Sequence, residues 1–177
     1  MEETSIVTTE NQDKVKQEKK DGEIVIIAPH CDDELIGCYK VITEAKYPPV
    51  IIYTGQIDAK RRKESLKLKD STGIAMQFYT VDIPPILVNP ATKFYFPDPA
   101  YETHPEHRKW GFIGEGFARG GFDVTFYNTN MNAPYLYEVP SPDKKRELLE
   151  EVYPSQKSLW KYDHKYFLFE GYCRWIF

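Results

Sequence analysis

The chain has 177 residues, 41% of them hydrophobic and 28% charged, which is the size and composition of one globular domain. Its net charge of −4 lacks the basic excess of a nucleic-acid-binding surface, and no apolar run is long enough for a membrane span. No secretory signal is apparent, and the three cysteines suit neither paired disulfides nor a structural zinc site, so we expect a cytoplasmic protein.

Composition divides the chain into two regions. Residues 1–21 are polar and charged without periodicity, and they predict a disordered or loosely attached tail. Residues 22–177 predict one compact domain, with no internal repeat.

The first part of the domain alternates apolar strands with helices. The predicted elements are strands at 23–28, 50–53 and 76–79 and helices at 33–46 and 59–72. Asp58 can cap the second helix, and Gly73 stands where a C-terminal glycine would. This alternation predicts a parallel sheet, and the continuous apolar strands indicate burial on both faces.

The second part of the domain has weaker patterns. A proline-rich stretch at 84–103 predicts a loop with a strand at 93–96, and a helix begins near 105. Five glycines between 111 and 121 predict a flexible or tightly turned segment. The remaining predicted elements are strands at 122–127 and 135–139 and helices at 143–152 and 159–170.

One imidazole and three carboxylates follow the first predicted strand, in the run Pro-His-Cys-Asp-Asp-Glu at residues 29–34. Open α/β sheets bind ligands at the carboxyl ends of their strands. His30 and Asp33 could converge on one metal ion, and His107 could complete a set of three that leaves a position for water. Asp32 is then placed to take a proton, and His104 to protonate a leaving group or stabilise charge.

Each cluster also has a simpler interpretation. Acidic residues after a strand commonly begin a helix, where carboxylates complement the helix dipole. His104 and His107 could form one polar helix face. Because both clusters occur, and the first follows a buried strand, a functional site is favoured over these alternatives.

These motifs resemble those of the PIG-L/LmbE-like family of zinc-dependent de-N-acetylases. The first family motif, Pro-His-x-Asp-Asp-Glu continuing into Ile-Gly-Cys, matches residues 29–38, and His-Pro-Asp-His corresponds to His-Pro-Glu-His at 104–107. Weaker matches, in the family's order, are Thr54-Gly55, Arg61-x-x-Glu64, Gly73, Tyr153-Pro154-Ser155-Gln156 and Phe169-Glu170. The resemblance covers about residues 23–172.

The resemblance implies a Rossmann-like α/β fold, with a mainly parallel sheet sandwiched by helices. It implies one Zn²⁺ per chain, or another divalent transition metal, and hydrolysis of an acetamide on an amino sugar or sugar conjugate. The implied roles are zinc ligands for His30, Asp33 and His107, general base for Asp32, general acid or charge stabiliser for His104, and substrate binding for Arg61 and Glu64.

The chain departs from the family pattern at three places. Tyr39 and Lys40 replace a usual Gly-Gly pair, and Glu106 replaces an aspartate. The stretch between Tyr79 and His104 is too rich in proline for the usual helix. These departures bear on the substrate more than on metal binding.

Three other functions stay open at this point. The same metal could serve an amidase or an esterase acting on another acyl group. A catalytically degenerate module could bind a sugar or nucleotide without turnover. The aromatic segment 160–177 could form a homo-oligomer interface in an interaction protein.

Overall fold

A single seven-stranded sheet with helices packed against it makes up the residues that the computed structural model describes, 22–79, 91–161 and 163–174. The strands are β1 Ile24–Ala28, β2 Val50–Tyr53, β3 Ala75–Phe78, β4 Lys93–Pro97, β5 Asp123–Asn128, β6 Leu136–Glu138 and β7 Phe169–Arg174. The predicted tail over residues 1–21 and the prolines at 84, 85 and 90 lie outside the described residues.

Six α-helices accompany these strands in the described ranges. They are α1 Asp33–Glu44, α2 Ala59–Thr72, α3 Pro105–Arg119, α4 Pro142–Val152, α5 Lys157–Trp160 and α6 Lys165–Leu168, with a 3₁₀ turn at Pro154–Gln156 before α5. Of these helices, none has both the length and the apolar character that a bilayer crossing requires. Apart from two segments described below, the predicted elements occur with ends shifted by at most two residues.

The strand order is β3-β2-β1-β4-β5-β7-β6. The first five strands are parallel, and β1 lies between β2 and β4 with Val25 opposite both Val50 and Phe94. β7 runs antiparallel to β5 and β6. The predicted mainly parallel α/β sheet is thus confirmed, with an antiparallel edge. The chain leaves β1 toward β2 on one side and returns to β4 on the other, which opens a crevice at the carboxyl end of β1.

Both faces of the sheet are buried, as the apolar strands predict. Val25 and Ile27 pack with Trp110 of α3 on one face. Ile26 of the same strand packs with Leu35 of α1 and Leu149 of α4 on the other. Side chains along a strand alternate between faces, so a continuous apolar run requires helices on both sides.

Both predicted caps of α2 occur in the structure. The Asp58 carboxylate accepts a hydrogen bond from Arg61 N–H at 2.8 Å, which satisfies a backbone donor of the first turn. Gly73 ends the helix at φ 72°, in the left-handed region that favours glycine. This cap places Arg61 in the first turn of α2.

The glycine-rich segment is helical, so the prediction of a flexible or turned segment is wrong as far as Arg119, where α3 ends. A Cβ at Gly111 would lie 2.6 Å from the Pro97 carbonyl oxygen. At Gly114 it would lie 2.7 Å from the Phe96 ring. These glycines permit α3 to pack closely on β4, which outweighs their low helix propensity.

The predicted helix at 159–170 is also wrong as one continuous element. α5 and α6 are single short turns, and Phe169 begins β7. Antiparallel pairing on β5 sets Tyr172 opposite Tyr127 and fills the sheet beside the parallel strands. Of the predicted interface at 160–177, residues 169–174 therefore belong to the sheet. Residues 175–177 lie outside the described part of the chain.

Candidate metal site

A strained turn joins β1 to α1 and brings the acidic residues inward. His30 N–H donates to Asp33 Oδ2 at 2.7 Å, and the amides of Leu35 and Ile36 donate to the Asp32 carbonyl. Asp32 adopts φ 124°, a conformation that costs a non-glycine residue about 1–3 kcal/mol. Both aspartates are only 4% exposed. Strain and burial therefore both make this turn costly for folding.

Three donor atoms of the predicted metal ligands form a small triangle. His30 Nδ1 lies 3.0 Å from His107 Nε2, which lies 3.1 Å from Asp33 Oδ2. The third side, from His30 Nδ1 to Asp33 Oδ2, measures 3.5 Å. Ligands of a tetrahedral zinc ion with bonds of about 2.0–2.1 Å stand about 3.3–3.4 Å apart. The structure therefore brings the three predicted ligands to the spacing of one tetrahedral face.

Each of these imidazoles is held from behind by a carboxylate. His30 Nε2 lies 2.7 Å from Glu106 Oε2, and His107 Nδ1 lies 3.0 Å from Glu102 Oε2. Metal-binding histidines usually donate their second ring N–H in this way, which fixes ring orientation and tautomer. With a metal bound, the ring protons would reside on His30 Nε2 and His107 Nδ1, and the nitrogens that face Asp33 would hold the ion.

Glu102 is a site residue that the sequence analysis missed. Its carboxylate accepts hydrogen bonds from the Thr129 amide and, at 3.1 Å, from the Thr129 hydroxyl. Thr129 follows β5 directly, so the strand beside β4 anchors the carboxylate that holds His107. The one available signal was the position of Glu102 two residues before His104.

His104 stands at the rim of the site. It caps α3, and its Nδ1 accepts a hydrogen bond from Glu106 N–H at 3.3 Å, which leaves the ring proton on Nε2. Its ring centroid lies 4.7 Å from that of His30 and 5.2 Å from that of His107. One ring nitrogen from each of these three histidines falls within 4.8 Å of the others, so the imidazoles by themselves could hold a metal ion.

Neighbouring charges raise the pKa of His107 and lower the pKa of Asp33, in each case against the effect of burial. Burial lowers the pKa of His107, but the Asp33 and Glu102 carboxylates outweigh burial and raise it to about 10. Burial works against ionisation of Asp33 as well, yet His107 and His30 hold its pKa well below the usual range. Without a metal, a proton on His107 thus neutralises the Asp33 carboxylate.

Asp32 has the opposite electrostatic environment. Burial raises its pKa well above the usual value, the Asp33 carboxylate raises it further, and Arg61 partly offsets both. An Asp32 carboxylate is therefore a stronger base than an exposed aspartate. Burial lowers the pKa of His104, and the neighbouring His30 and His107 lower it further.

The two residues predicted to bind substrate separate in the structure. The Arg61 guanidinium lies 4.0 Å from Asp32 Oδ2, donates to the Gln156 side chain and lines the cleft. Glu64 is buried outside the cleft, where it accepts hydrogen bonds from the amide and the hydroxyl of Ser155. Glu64 thus fixes the turn that presents Gln156 to Arg61, and only Arg61 reaches the site.

The cleft over these residues has a volume of about 450 Å³, and its apolar wall consists of Ile36, Leu159 and Tyr166. A larger cavity of about 780 Å³ lies between α1 and the sheet, where Tyr95 and Tyr172 line it. No histidine is among the described residues that line the larger cavity. Of these two cavities, the smaller one contains the histidine ligands and Asp32.

The site lies at the carboxyl ends of β1 and β5, completed by the loop between β4 and α3. His30 follows β1, Glu102 precedes α3, and Thr129 follows β5. This is the crevice where open α/β sheets bind ligands. No family model matches the chain, and no curated protein matches it.

Proposed function

We propose that this protein is a metal-dependent hydrolase that removes an N-acetyl group from an amino sugar or sugar conjugate, with one Zn²⁺ per chain. The observation that carries the proposal is the triangle of His30 Nδ1, Asp33 Oδ2 and His107 Nε2, whose two imidazoles are each backed by a carboxylate. The order of motifs resembles that of PIG-L/LmbE-like deacetylases, and the strand order β3-β2-β1-β4-β5 supports the Rossmann-like fold that this resemblance implies.

The residues present fit zinc in donor type and spacing. Two imidazole nitrogens and one carboxylate oxygen are a common catalytic set, and carboxylates already orient both rings. Other divalent transition metals that accept nitrogen and oxygen donors would fit the same atoms. When bound, the ion supplies a Lewis acid that lowers the pKa of water and polarises a carbonyl group.

The remaining chemistry belongs to the side chains of the cleft. Asp32, a buried carboxylate with a raised pKa, takes the proton of the attacking water. Asp32 then passes this proton to the nitrogen of the leaving amine, the Nε2–H of His104 donates a hydrogen bond that stabilises developing negative charge, and Arg61 beside Asp32 binds polar groups of the substrate. The amide C–N bond breaks, the water oxygen joins the acetyl carbon, and acetate and an amine leave.

An amidase or esterase acting on a larger acyl group is the second candidate. Leu159 is 51% exposed although it lines the cleft, and it shares the wall with Ile36 and Tyr166. An apolar wall of this kind gains free energy by covering an acyl chain. The leading proposal retains the acetyl group because the imidazole and carboxylate arrangement resembles the deacetylase motifs.

A substrate panel with zinc-loaded protein tests the proposed function. Acetate release from N-acetylglucosamine conjugates is compared with release from longer amides and from esters. We expect acetate release that chelation abolishes and added zinc restores. Preference for longer amides or esters would support the second candidate, and full zinc occupancy without hydrolysis of any compound would support a binding module.

The proposed setting is the cytoplasm, and the proposed partner is a small N-acetylated sugar or conjugate. Cys31, Cys38 and Cys173 all lie in the described residues, and none forms a disulfide. A homo-oligomer stays a prediction, which light scattering of the full chain tests.

A further inference from the structure

Helix α1 is broken between its first turn and the rest of the helix. Cys38 has φ −133° and ψ 23°, which is not a helical conformation. In a continuous helix the Lys40 amide would donate to the Ile36 carbonyl, four residues earlier. The residues around the break are buried, so each freed backbone group needs another partner.

A buried ion pair bonds both of the groups that this helical bond would join. Lys145 Nζ of α4 donates to the Ile36 carbonyl at 2.7 Å. The Lys40 amide donates to the Glu170 carboxylate of β7, at 3.2 and 3.4 Å from its two oxygens. Lys145 and Glu170 are themselves 3.3 Å apart, with exposures of 0% and 2%. Side chains inserted into the backbone ladder are a recognised cause of helix kinks.

The segment ahead of the break carries the acidic residues of the site. It begins at the strained Asp32, includes Asp33, and ends where Cys38 leaves the helix. Gly37 seats it against β5, because a Cβ there would lie 2.4 Å from the Tyr127 ring. Since the helix is kinked at Cys38, the orientation of this segment relative to the following turn depends on tertiary contacts.

We propose that Lys145 and Glu170 are positioning residues, which bond the Ile36 carbonyl and the Lys40 amide across the kink in α1 and so hold Asp32 and Asp33 in the geometry of the metal site. This inference rests on the proposed function for its consequence at the metal. An apolar pair of similar volume would often be as stable as a buried ion pair, but it could not bond both the carbonyl and the amide. The pair therefore supplies orientation that hydrophobic packing would not.

Three variants test the proposal, Lys145→Met, Glu170→Gln and the control Leu149→Ala. Leu149 is fully buried one turn after Lys145 on α4, so its truncation destabilises the same helix and spares the ion pair. Zinc affinity is measured by competition with a chromophoric chelator, and stability by thermal unfolding. We expect Lys145→Met to weaken zinc binding about 10-fold or more, which is the usual effect of losing an outer partner. Leu149→Ala should lower Tm and keep zinc affinity within about two-fold.

Hydrogen exchange supplies a measurement that needs neither zinc nor a variant. The Lys40 amide of the unaltered protein should exchange as slowly as amides in the continuous part of α1. In Lys145→Met and Glu170→Gln, we expect faster exchange of the Leu35 and Ile36 amides than in Leu149→Ala. A rapidly exchanging Lys40 amide, or unchanged exchange together with unchanged zinc affinity, would overturn the positioning role. If the unaltered protein bound no zinc, the proposed function would fail, and exchange alone would decide the positioning role.

Discussion

Asp32 combines two costs at one residue, a backbone angle of φ 124° and a buried carboxylate. Each is unfavourable for folding, because the angle strains a Cβ and burial disfavours the charge. The same two features orient the side chain toward the cleft and raise its pKa. At the scale of single residues, the proposed activity of Asp32 and the stability of the fold therefore make opposite demands.

Substitution of Asp32 should separate these two effects. Asp32→Ala removes the base and should lower turnover by about 10²–10⁴-fold while zinc stays bound. Asp32→Gly should lose the same activity and be about 1 kcal/mol more stable than Asp32→Ala, since glycine relieves the strained angle at some entropic cost. Activity, zinc content and urea unfolding of both variants check this. Equal stabilities would show that the angle is not strained.

The raised pKa of His107 predicts how the metal-free protein responds to pH. Its pKa is about 10 when folded, against about 6.5 in an unfolded chain. The stabilisation from this proton is complete below pH 6.5 and is lost as pH rises through 10. Urea unfolding of chelator-treated protein should therefore show declining stability across this range, with a flatter profile in His107→Gln.

The same proton affects metal uptake. A bound ion must displace it from His107, so apparent zinc affinity should rise from pH 6.5 toward 10 and proton release should accompany binding. Calorimetry in buffers of different ionisation enthalpy measures the released protons. Binding without proton release at pH 7 would contradict the assigned charge state.

At the scale of elements, α3 shows how packing can reverse a local preference. Its glycines weaken the helix in isolation, yet two of them face β4 at distances that exclude a methyl group. Gly116 of the same helix has open space at its Cβ position. In α3, Gly114 is therefore required by packing, and Gly116 is a control position that packing does not constrain.

Alanine at these two positions should have opposite effects. In Gly114→Ala the new methyl group would meet the Phe96 ring at 2.7 Å, and we expect destabilisation of about 1–3 kcal/mol. Gly116→Ala should stabilise the protein by about 0.5–1 kcal/mol through helix propensity alone. Chemical unfolding of both variants checks the signs. A stabilised Gly114→Ala would show that α3 does not approach β4 this closely.

The sequence pattern was enough to predict those elements that are defined by their own residues. β1 and β2 are continuous apolar runs, and Asp58 and Gly73 cap α2 through backbone bonds. β7 could not be predicted, because its contacts are long-range: Glu170 pairs with Lys145, 25 residues earlier in the chain. The helical prediction there relied on spacing, and tertiary pairing with β5 prevailed.

The candidate site also contains residues that the sequence predicted and residues that only the structure revealed. His30, Asp33 and His107 were predicted as ligands from motifs, and the structure brings their donor atoms together. Glu102 and Thr129 stand 27 residues apart, and their contact with each other arises only when β5 lies beside β4. Sequence motifs thus identify the groups that would perform chemistry, and the fold identifies the groups that hold them.

At the scale of the whole molecule, the metal site joins parts of the chain that lie far apart. His30 from the first strand and His107 from α3 are 77 residues apart, and their ring nitrogens lie 3.0 Å from each other. A ligand that binds only the folded state stabilises it by mass action. An ion at this site therefore bridges the two halves of the fold and adds to its global stability.

Zinc should accordingly raise the melting temperature of the protein. At a free concentration of 100 times Kd, the added stability is about 2.7 kcal/mol, which is several degrees for a domain of this size. Differential scanning calorimetry with chelator and with buffered zinc measures the shift. His30→Ala should fold but show little shift, and an equal shift in His30→Ala would place the ion elsewhere.

The carboxylates that bond His30 and His107 have a consequence for how a metal ion would enter the proposed site. Glu106 and Glu102 already orient both rings, and the donor atoms already stand at tetrahedral spacing, while a proton rather than an ion balances the charge. Uptake then requires an exchange of protons for metal and no ordering of the chain. The apoprotein is in this sense preorganised, so the rate of loading should depend on dehydration of the incoming ion and deprotonation of His107.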